Sequence, residues 1–177
     1  HGLQIWVALP KHLEQMEPQF FHIEEKDIPT WTQGDLQFKL VAGEAFGKKS
    51  AVPVFSKLFM LEIKSTSKQL VNISDALYGE AGLYILNGAI ESDGNSYESK
   101  QLLVAKDSAL CQFTIQENST IYIFGGEPFP EERFIDWNFV SSSKERIEEA
   151  KQKWKAQQFP KIEGDSEEFV PYSTSKR

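Results

Sequence analysis

The stretch Thr120–Trp154, TIYIFGGEPFPEERFIDWNFVSSSKERIEEAKQKW, decides the fold. It opens with the alternating run 121–124, turns at 125–130 and extends again over 134–140 before its period changes. Alternation with a period of two is typical of a strand with one buried face, whereas apolar residues three and four positions apart are typical of an amphipathic helix. The stretch therefore predicts that the chain before residue 125 is sheet and that a helix follows it.

Short apolar runs separated by turn residues recur throughout the chain before this stretch. Ser92–Ser96 contains Asp-Gly-Asn, residues that tolerate the left-handed backbone conformation, and it is predicted to be a hairpin turn. Segment 26–34 is predicted to be a loop. Leu58–Lys64 is apolar on both faces and is predicted to be a central strand. Eight or nine short strands at regular spacing are typical of a β-sandwich or β-barrel. The predicted strands are Leu3–Leu9, Gln19–Glu24, Leu36–Ala42, Leu58–Lys64, Lys68–Ser74, Leu83–Ile90, Tyr97–Ala105, Ala109–Gln116 and Thr120–Phe124.

The predicted helix begins with a capping box, in which Ser142 and Glu145 satisfy each other's backbone N–H groups. Apolar contact is expected along one face, and Pro160 prevents the helix from continuing. The polar segment after it is predicted to be an extended tail that docks at Phe169 and frays beyond it. The expected inward face comprises Ile147, Ala150, Lys151 and Trp154.

The composition limits the classes of function that are possible. The 177 residues carry a net charge of −7, which argues against nucleic-acid binding because phosphates need a basic surface. A single cysteine, Cys111, excludes an internal disulfide and favours a reducing, cytoplasmic location. No apolar run is long enough to span a bilayer, so no membrane contact is expected.

Few residues are candidates for chemistry. The three histidines His1, His12 and His22 form no His-x-His pair, and transition-metal sites normally use imidazole, so no metal site is predicted. Cys111 lies in an alternating run and is interpreted as a small packed hydrophobe, since no nearby histidine or helix start would lower its pKa. Glu62 interrupts an apolar strand and is interpreted as an outward residue on a solvated face.

Two other features are candidate ligand sites. The loop Gly43–Ser50 has two glycines but lacks phosphate-loop spacing, so it is interpreted as a turn that needs positive φ. The tryptophans could line a pocket for a flat ligand, but packing in a core or interface is the favoured role. No catalytic, cofactor-binding or metal-ligating residue is assigned. The tryptophans are Trp6, Trp31, Trp137 and Trp154.

Four motifs in this order resemble those of the pirin family. Together the motifs extend over nearly the whole chain. They are His1–Pro10 (HGLQIWVALP) with EPQF at 17–20, Gly43–Ser50 (GEAFGKKS), Gly125–Pro128 (GGEP) and Trp137–Ile147 (WNFVSSSKERI).

The resemblance implies a bicupin, in which an N-terminal cupin binds one iron ion through three histidines and one glutamate. Those ligands would precede His1, so none is assigned here, and the second cupin of the family typically lacks the histidine cluster. The fold class expected is all-β: a cupin-type jelly-roll β-barrel with a C-terminal α-helix. The expected organisation is residues 1–10 as an inter-domain strand left from a missing N-terminal cupin, 11–140 as the C-terminal cupin barrel, 141–159 as the helix and 160–177 as an extended tail.

Three functions follow as hypotheses. The chain is a metal-free structural and interaction partner of an absent iron-binding cupin, part of an iron-dependent quercetin 2,3-dioxygenase-type oxidoreductase, or a metal-free small-molecule-binding barrel. No cofactor is expected in this chain, and iron is expected in the missing domain. Expected partners are that domain, a further protein, a flavonol-like small molecule, or a second copy associating through the seam at Gly2–Leu9.

Overall fold

A computed structural model describes residues 2–74, 76–105 and 112–173. The chain divides into two compact units, one formed by Pro18–Pro128 and the other by His1–Glu17 together with Phe129–Arg177. They are called the sheet unit and the helix unit below. The helices described are too short and too polar for any of them to cross a membrane.

The sheet unit contains two antiparallel sheets. One has seven strands in the order β1-β2-β4-β11-β6-β9, with β3 paired to β2, and the other has four in the order β5-β10-β7-β8. The strands are β1 (Thr30–Gln33), β2 (Leu36–Ala45), β3 (Lys48–Lys49), β4 (Leu58–Ser65), β5 (Gln69–Asn72), β6 (Glu80–Asn87), β7 (Ala89–Ser92), β8 (Asn95–Glu98), β9 (Leu102–Ala105), β10 (Gln112–Ile115) and β11 (Ser119–Gly126).

Alternation in the sequence places one face of each strand in the core. Along β4, Phe59, Leu61 and Ile63 are buried in one apolar cluster that also includes residues of the four-stranded sheet. The prediction that Leu58–Lys64 is central is confirmed, because β4 lies between β2 and β11. The close approach of β2 and β4 requires Gly43, where a Cβ atom would lie 1.7 Å from the carbonyl oxygen of Leu58.

The hairpin predicted at Ser92–Ser96 is confirmed. Strands β7 and β8 pair with Ser92 opposite Asn95, and Asp93 and Gly94 both have positive φ, 51° and 75°. This two-residue turn matches the right-handed twist of the flanking strands. The predicted strand Ala109–Gln116 is confirmed as β10 from Gln112, and residues 109–111 lie outside the described part of the chain.

Five local predictions of strand or loop are wrong. Tyr97–Ala105, predicted as one strand, is divided between β8 and β9, and Leu83–Ile90 is divided between β6 and β7; in each case the two strands belong to different sheets. Residues 3–9 and 19–24 form no strand, because an alternating run becomes a strand only where a neighbour completes its hydrogen bonds. Segment 26–34, predicted as loop, contains β1, which pairs with β2. The ring of Trp31 stacks on that of Phe38 with centroids 5.1 Å apart, a packing contact that local composition does not show. Assignment of residues 1–10 to an inter-domain strand remains a prediction.

The helix unit contains a two-stranded sheet and the single α-helix among the described residues. The strands are β12 (Phe134–Asp136) and β13 (Phe139–Ser141), and helix α1 spans Lys144–Lys155. The predicted inward face is confirmed, since Ile147 is buried and Ala150, Lys151 and Trp154 are partly buried. The helix is shorter than the predicted region 141–159, and Gln157 follows its end with φ of +54°.

The cap of α1 lies one residue later than predicted. The Ser143 hydroxyl accepts the backbone N–H of Arg146 at 3.3 Å and donates to Glu145 at 2.7 Å. Ser142 cannot form the predicted box because its backbone N–H donates to Glu14 at 2.8 Å. The capping chemistry was therefore predicted, but its position is set by a residue distant in sequence.

The tail contacts the helix unit at other points than predicted. Phe169 is 52% exposed, whereas the Trp154 indole N–H donates to the carbonyl oxygen of Val170 at 2.8 Å. Tyr172 packs edge-on against Trp137 with ring centroids 5.7 Å apart. The predicted docking at Phe169 is therefore wrong, and the predicted fraying falls partly on residues 174–177, outside the described part of the chain.

Candidate functional site

The interior of the sheet unit is apolar. The side chains of both sheets that are most deeply buried are aliphatic or phenylalanine and form one cluster. Within the described residues, no three His, Cys, Asp or Glu side chains are grouped so that they could hold a metal. These residues therefore do not fit an iron ion. The fully buried side chains are Phe38, Leu40, Phe59, Leu61, Ile63, Leu83, Ile85, Ile90, Phe113, Ile115, Ile121 and Ile123.

The described structure does not bring together the histidines and the cysteine that were candidates for chemistry. His12 lies in a short 3-10 helix, Lys11–Leu13, and His22 lies in an extended segment; both are exposed. His1 and Cys111 lie outside the described residues. The interpretation of Cys111 as a packed hydrophobe stays a prediction.

The tryptophans do not form one pocket. Trp31 packs on Phe38 in the sheet unit, whereas Trp137 and Trp154 contact each other in the helix unit with ring centroids 5.2 Å apart. Trp6 is 58% exposed. Trp31, Trp137 and Trp154 therefore have the packing role that the sequence favoured.

Glu62 is the most unusual charged residue of the sheet unit. It points away from Leu61 and Ile63, as predicted, but only 7% of the residue is exposed, so its predicted solvated environment is wrong. Strand pairing places it opposite Tyr122 on β11 and Lys39 on β2. The Tyr122 hydroxyl donates to Glu62 at 2.5 Å, and the Lys64 ammonium lies 2.9 Å from the other carboxylate oxygen.

The contact between Glu62 and Tyr122 moves their pKa values in opposite directions. Burial acts to raise the pKa of Glu62, but the hydrogen bond from Tyr122 and the ion pair with Lys64 outweigh it, so the pKa lies below its ordinary value. Burial, together with the hydrogen bond to and the charge of Glu62, raises the pKa of Tyr122 to about 12. Glu62 is therefore ionised and Tyr122 neutral at physiological pH, an arrangement that is stable rather than poised for proton transfer.

The surface around this pair is apolar. Tyr122 also lies opposite Tyr84, and Phe124 lies opposite Met60 and Gly82. Strand β9 adds Leu102 and Val104, which are 55% and 71% exposed. We call the surface formed by Met60, Glu62, Gly82, Tyr84, Leu86, Leu102, Val104, Tyr122 and Phe124 the outer face of the seven-stranded sheet.

A second buried carboxylate, Glu14, lies in the helix unit and was not identified from the sequence. Its side chain is 6% exposed and accepts hydrogen bonds from the Ser141 hydroxyl, the Ser142 backbone N–H and Arg146, at 2.8, 2.8 and 3.1 Å. Arg133 lies 3.4 Å away. Because these partners are more than a hundred positions away along the chain, local sequence gives no signal for this cluster.

The charge state of Glu14 follows from those contacts. Burial acts to raise its pKa, but the hydrogen bonds from Ser141 and Ser142, with the charge of Arg146, hold the pKa below its ordinary value. Arg133 also donates to the carbonyl oxygen of Leu9 at 3.1 Å. The cluster thus ties residues 9 and 14 to the start of α1 and is structural in kind.

The loop Gly43–Ser50 borders a cavity of about 340 Å³, lined by Glu44, Phe46, Lys48, Lys49 and Tyr78 among others. The turn interpretation is confirmed, since Gly43, Phe46 and Gly47 have positive φ. Its charges are paired or stacked: Lys49 lies 2.9 Å from Glu44, and the Lys48 ammonium lies 5.3 Å from the centre of the Trp31 ring.

Comparison with known proteins identifies the relatives of this chain. Residues 60–160 match the family described as the Pirin C-terminal cupin domain. A pirin-like protein of Caulobacter vibrioides is 42% identical over 171 residues, covering 96% of this chain and 59% of that protein. Human pirin is 24% identical over 156 residues, covering 85% of this chain and 54% of its own length.

The fold agrees with these relatives. The crystal structure of a quercetin 2,3-dioxygenase from Acinetobacter baumannii superimposes with a TM-score of 0.82 at 25% identity, covering 96% of this chain and 57% of that one. The all-β cupin fold with one C-terminal helix is thereby confirmed. The chain spans about half to three fifths of the length of these relatives. Because the family match covers more than half of its residues, the chain belongs to the pirin family.

Proposed function

We propose that this chain is the C-terminal cupin domain of a pirin-like protein and acts as the structural and interaction partner of an iron-binding N-terminal cupin. The observation that carries the proposal is the match of residues 60–160 to the C-terminal cupin of the family, together with relatives that extend well beyond it. A flavonol-like small molecule would then bind the complete protein, and we propose a cytoplasmic location for it.

The surface of the helix unit supports a partner role. Residues 2–10 form no strand, and Leu3, Trp6 and Val7 are 42%, 58% and 57% exposed. An exposed apolar run outside the described strands offers a hydrophobic contact, and its backbone groups can form hydrogen bonds with a neighbouring sheet edge. We propose that this segment completes its hydrogen bonds on that N-terminal cupin.

The test uses this chain and the portion of the Caulobacter relative that the chain does not span, produced separately. Iron is measured by mass spectrometry on each protein and on their mixture, and association is measured by titration calorimetry. We expect a one-to-one complex with iron bound by the added domain. Stoichiometric iron in this chain alone, or no association, would refute the proposal.

A second candidate function is favoured by the structural similarity to a quercetin 2,3-dioxygenase. In that case this domain would contribute to an iron-dependent dioxygenase by shaping the substrate site of the complete protein. Quercetin consumption under oxygen would then require both domains, with turnover of the added domain rising at least tenfold when this chain is supplied. Equal turnover with and without this chain would rule out the contribution.

A further inference from the structure

Four aromatic side chains of the helix unit form a cluster that is partly exposed. Trp154, in the last turn of α1, contacts the other three rings with centroids between 5.2 and 6.4 Å away. Trp137 lies in the two-residue turn between β12 and β13 with φ of +52°, a conformation that costs free energy for a bulky side chain. Such strain and exposed aromatic area are typical of interaction sites. The cluster comprises Trp137, Phe139, Trp154 and Phe159.

The tail of the chain lies on this cluster. The Trp154 indole N–H donates to the carbonyl oxygen of Val170 at 2.8 Å, and the Tyr172 ring packs edge-on against Trp137 at 5.7 Å. Residues 156–171 are all exposed, and among the described residues of the tail Tyr172 is the one that is partly buried. The contact between the tail and the cluster is therefore concentrated at Val170 and Tyr172.

The groups around Tyr172 are suited to a phenol ring. Its hydroxyl donates to the Asp136 carboxylate, 3.3 Å from one oxygen and 3.4 Å from the other. The ammonium groups of Lys155 and Lys151 lie 4.9 and 5.6 Å from the centre of the ring, within the range of a cation–π interaction. A tyrosine satisfies all these groups, whereas an aliphatic side chain would satisfy none of the polar ones. We call Asp136, Trp137, Lys151, Trp154 and Lys155 the tyrosine pocket.

The segment that enters the tyrosine pocket favours an extended conformation. Pro171 holds its own φ at about −65° and biases Val170 towards extended backbone. Surfaces lined by aromatic residues bind proline-containing peptides in this form, because little conformational entropy is lost on docking. Trp154 adds a hydrogen bond to the peptide backbone, so the site contacts both a main-chain carbonyl and a side chain.

From these contacts we propose that the tyrosine pocket is a docking site for an extended peptide, presented by a partner protein, in which tyrosine follows proline. The chain's own tail fills the site in this structure and supplies the chemistry of the ligand. A tail held mainly at two residues opens at low cost in free energy, so a partner peptide that makes the same contacts can replace it. The proposal goes beyond the function proposed above, because the whole pocket lies in the helix unit and its test does not need the N-terminal cupin.

The test uses the synthetic peptide EEFVPYS, the sequence of residues 167–173, with the full-length chain and its Tyr172→Ala variant. Nitrogen–proton NMR spectra follow the indole N–H of Trp154, which reports the hydrogen bond directly. We expect the peptide to bind Tyr172→Ala at least tenfold more tightly than the unaltered chain, in which the tail competes. A peptide with its tyrosine replaced by alanine should bind at least tenfold more weakly, and one with phenylalanine about threefold more weakly.

Val170→Ala is the matched control in the tail. The Val170 side chain is 67% exposed and its carbonyl group is kept, so this variant should bind the peptide as weakly as the unaltered chain does. Thermal unfolding checks the folding of each variant. Should Tyr172→Ala fail to fold, Tyr172→Leu replaces it, because leucine keeps an apolar side chain without the phenol; the expected order of affinities is the same.

Four outcomes would overturn the proposal. The first is an indole resonance of Trp154 that does not move at millimolar peptide, and the second is equal affinity of the peptide for Tyr172→Ala and the unaltered chain. If p-cresol binds as tightly as the peptide, the pocket recognises a small phenol and not a peptide. If the unaltered chain moves the Trp154 resonance of Tyr172→Ala as much as an equal concentration of peptide, the occupant is the tail of a second copy.

Discussion

At the residue scale, two buried carboxylates show how long-range contacts determine the environment of a charge. Glu62 is held by a tyrosine on the adjacent strand, and Glu14 by the segment that begins α1. Sequence alternation predicted that Glu62 points away from the core, but not that it is buried. Glu62 is buried because Tyr122 and Lys39 lie opposite it on the two neighbouring strands, and this placement depends on the register of all three strands.

Replacing Glu14 by Gln should destabilise the helix unit. The change removes the charge that faces Arg146 and Arg133 and leaves buried donors without a carboxylate, at a cost of about 3 kcal/mol in the free energy of unfolding. Urea denaturation followed by tryptophan fluorescence measures the loss. Glu148→Gln is the matched control, because Glu148 pairs with Lys151 at an exposed position and such pairs contribute less than about 1 kcal/mol.

The same residue should make stability depend on acid. The pKa of Glu14 in the folded chain lies below its ordinary value of 4.5, so the unfolded chain binds this proton first as pH falls. The stabilisation is complete above that ordinary value and is lost as pH decreases through the folded pKa. The unfolding free energy of Glu14→Gln should therefore fall less steeply below pH 4.5 than that of the unaltered chain. If the two free energies fall with the same slope, the pKa of Glu14 is not lowered in the folded chain.

Tyr122→Phe should remove a distinct alkaline transition. The pKa of Tyr122 is raised to about 12 from 10.0, so its contribution to stability is complete below pH 10 and lost as pH rises towards 12. Burial also raises the pKa of Tyr78, so two of the five tyrosines should form phenolate late in a spectrophotometric titration, and Tyr122→Phe should remove the one with a pKa of about 12. Tyr84→Phe, opposite Tyr122 on β6, should retain it. Loss of the late step in the Tyr84 variant instead would place the pairing elsewhere.

At the element scale, elements held by local chemistry were predicted and those that need a distant partner were not. The Asp-Gly turn between β7 and β8 and the serine cap of α1 are decided by a few adjacent residues. Residues 3–9 alternate as well as β2 does, yet they form no strand because none of the described strands pairs with them. Conversely, β1 forms in a segment that contains proline and glycine, residues that usually interrupt strands, because Trp31 packs on the core.

The position of the helix cap can be tested directly. Ser143→Ala removes the side-chain oxygen that accepts the Arg146 N–H and should cost about 1 kcal/mol in unfolding free energy. Ser143→Gly should cost only about 0.3 kcal/mol, because glycine is itself tolerated at this position. Chemical denaturation of the two variants measures the difference. Equal losses would show that the hydroxyl does not cap the helix.

At the scale of the whole molecule, the exposed apolar segment 2–10 and the outer face of the sheet have a common consequence. Each is an exposed apolar surface, one in a segment outside the described strands and the other on a paired sheet. Fold class followed from the sequence because periodicity is repeated over many strands. Gly2–Leu9 was predicted as an exposed seam from the family resemblance, but the outer face of the sheet could not be predicted as exposed, because an apolar residue that faces solvent or a partner looks the same in the sequence as one that faces the core.

The isolated chain should therefore associate with itself, and residues 2–10 should carry much of that association. Sedimentation equilibrium is expected to give an average mass above 20.2 kDa that rises with concentration. Trp6→Asp should raise the dimer dissociation constant at least fivefold, because Trp6 is 58% exposed and is the largest apolar side chain of the segment.

Phe169→Asp is the matched control. Phe169 is an aromatic residue of the tail that is 52% exposed, and its replacement should change the dimer dissociation constant by less than twofold. A mass of 20.2 kDa at every concentration would show that these surfaces do not drive association in the absence of a partner domain. Addition of the N-terminal cupin should return the chain to a defined one-to-one complex, since a cognate surface competes with the weaker contact between copies.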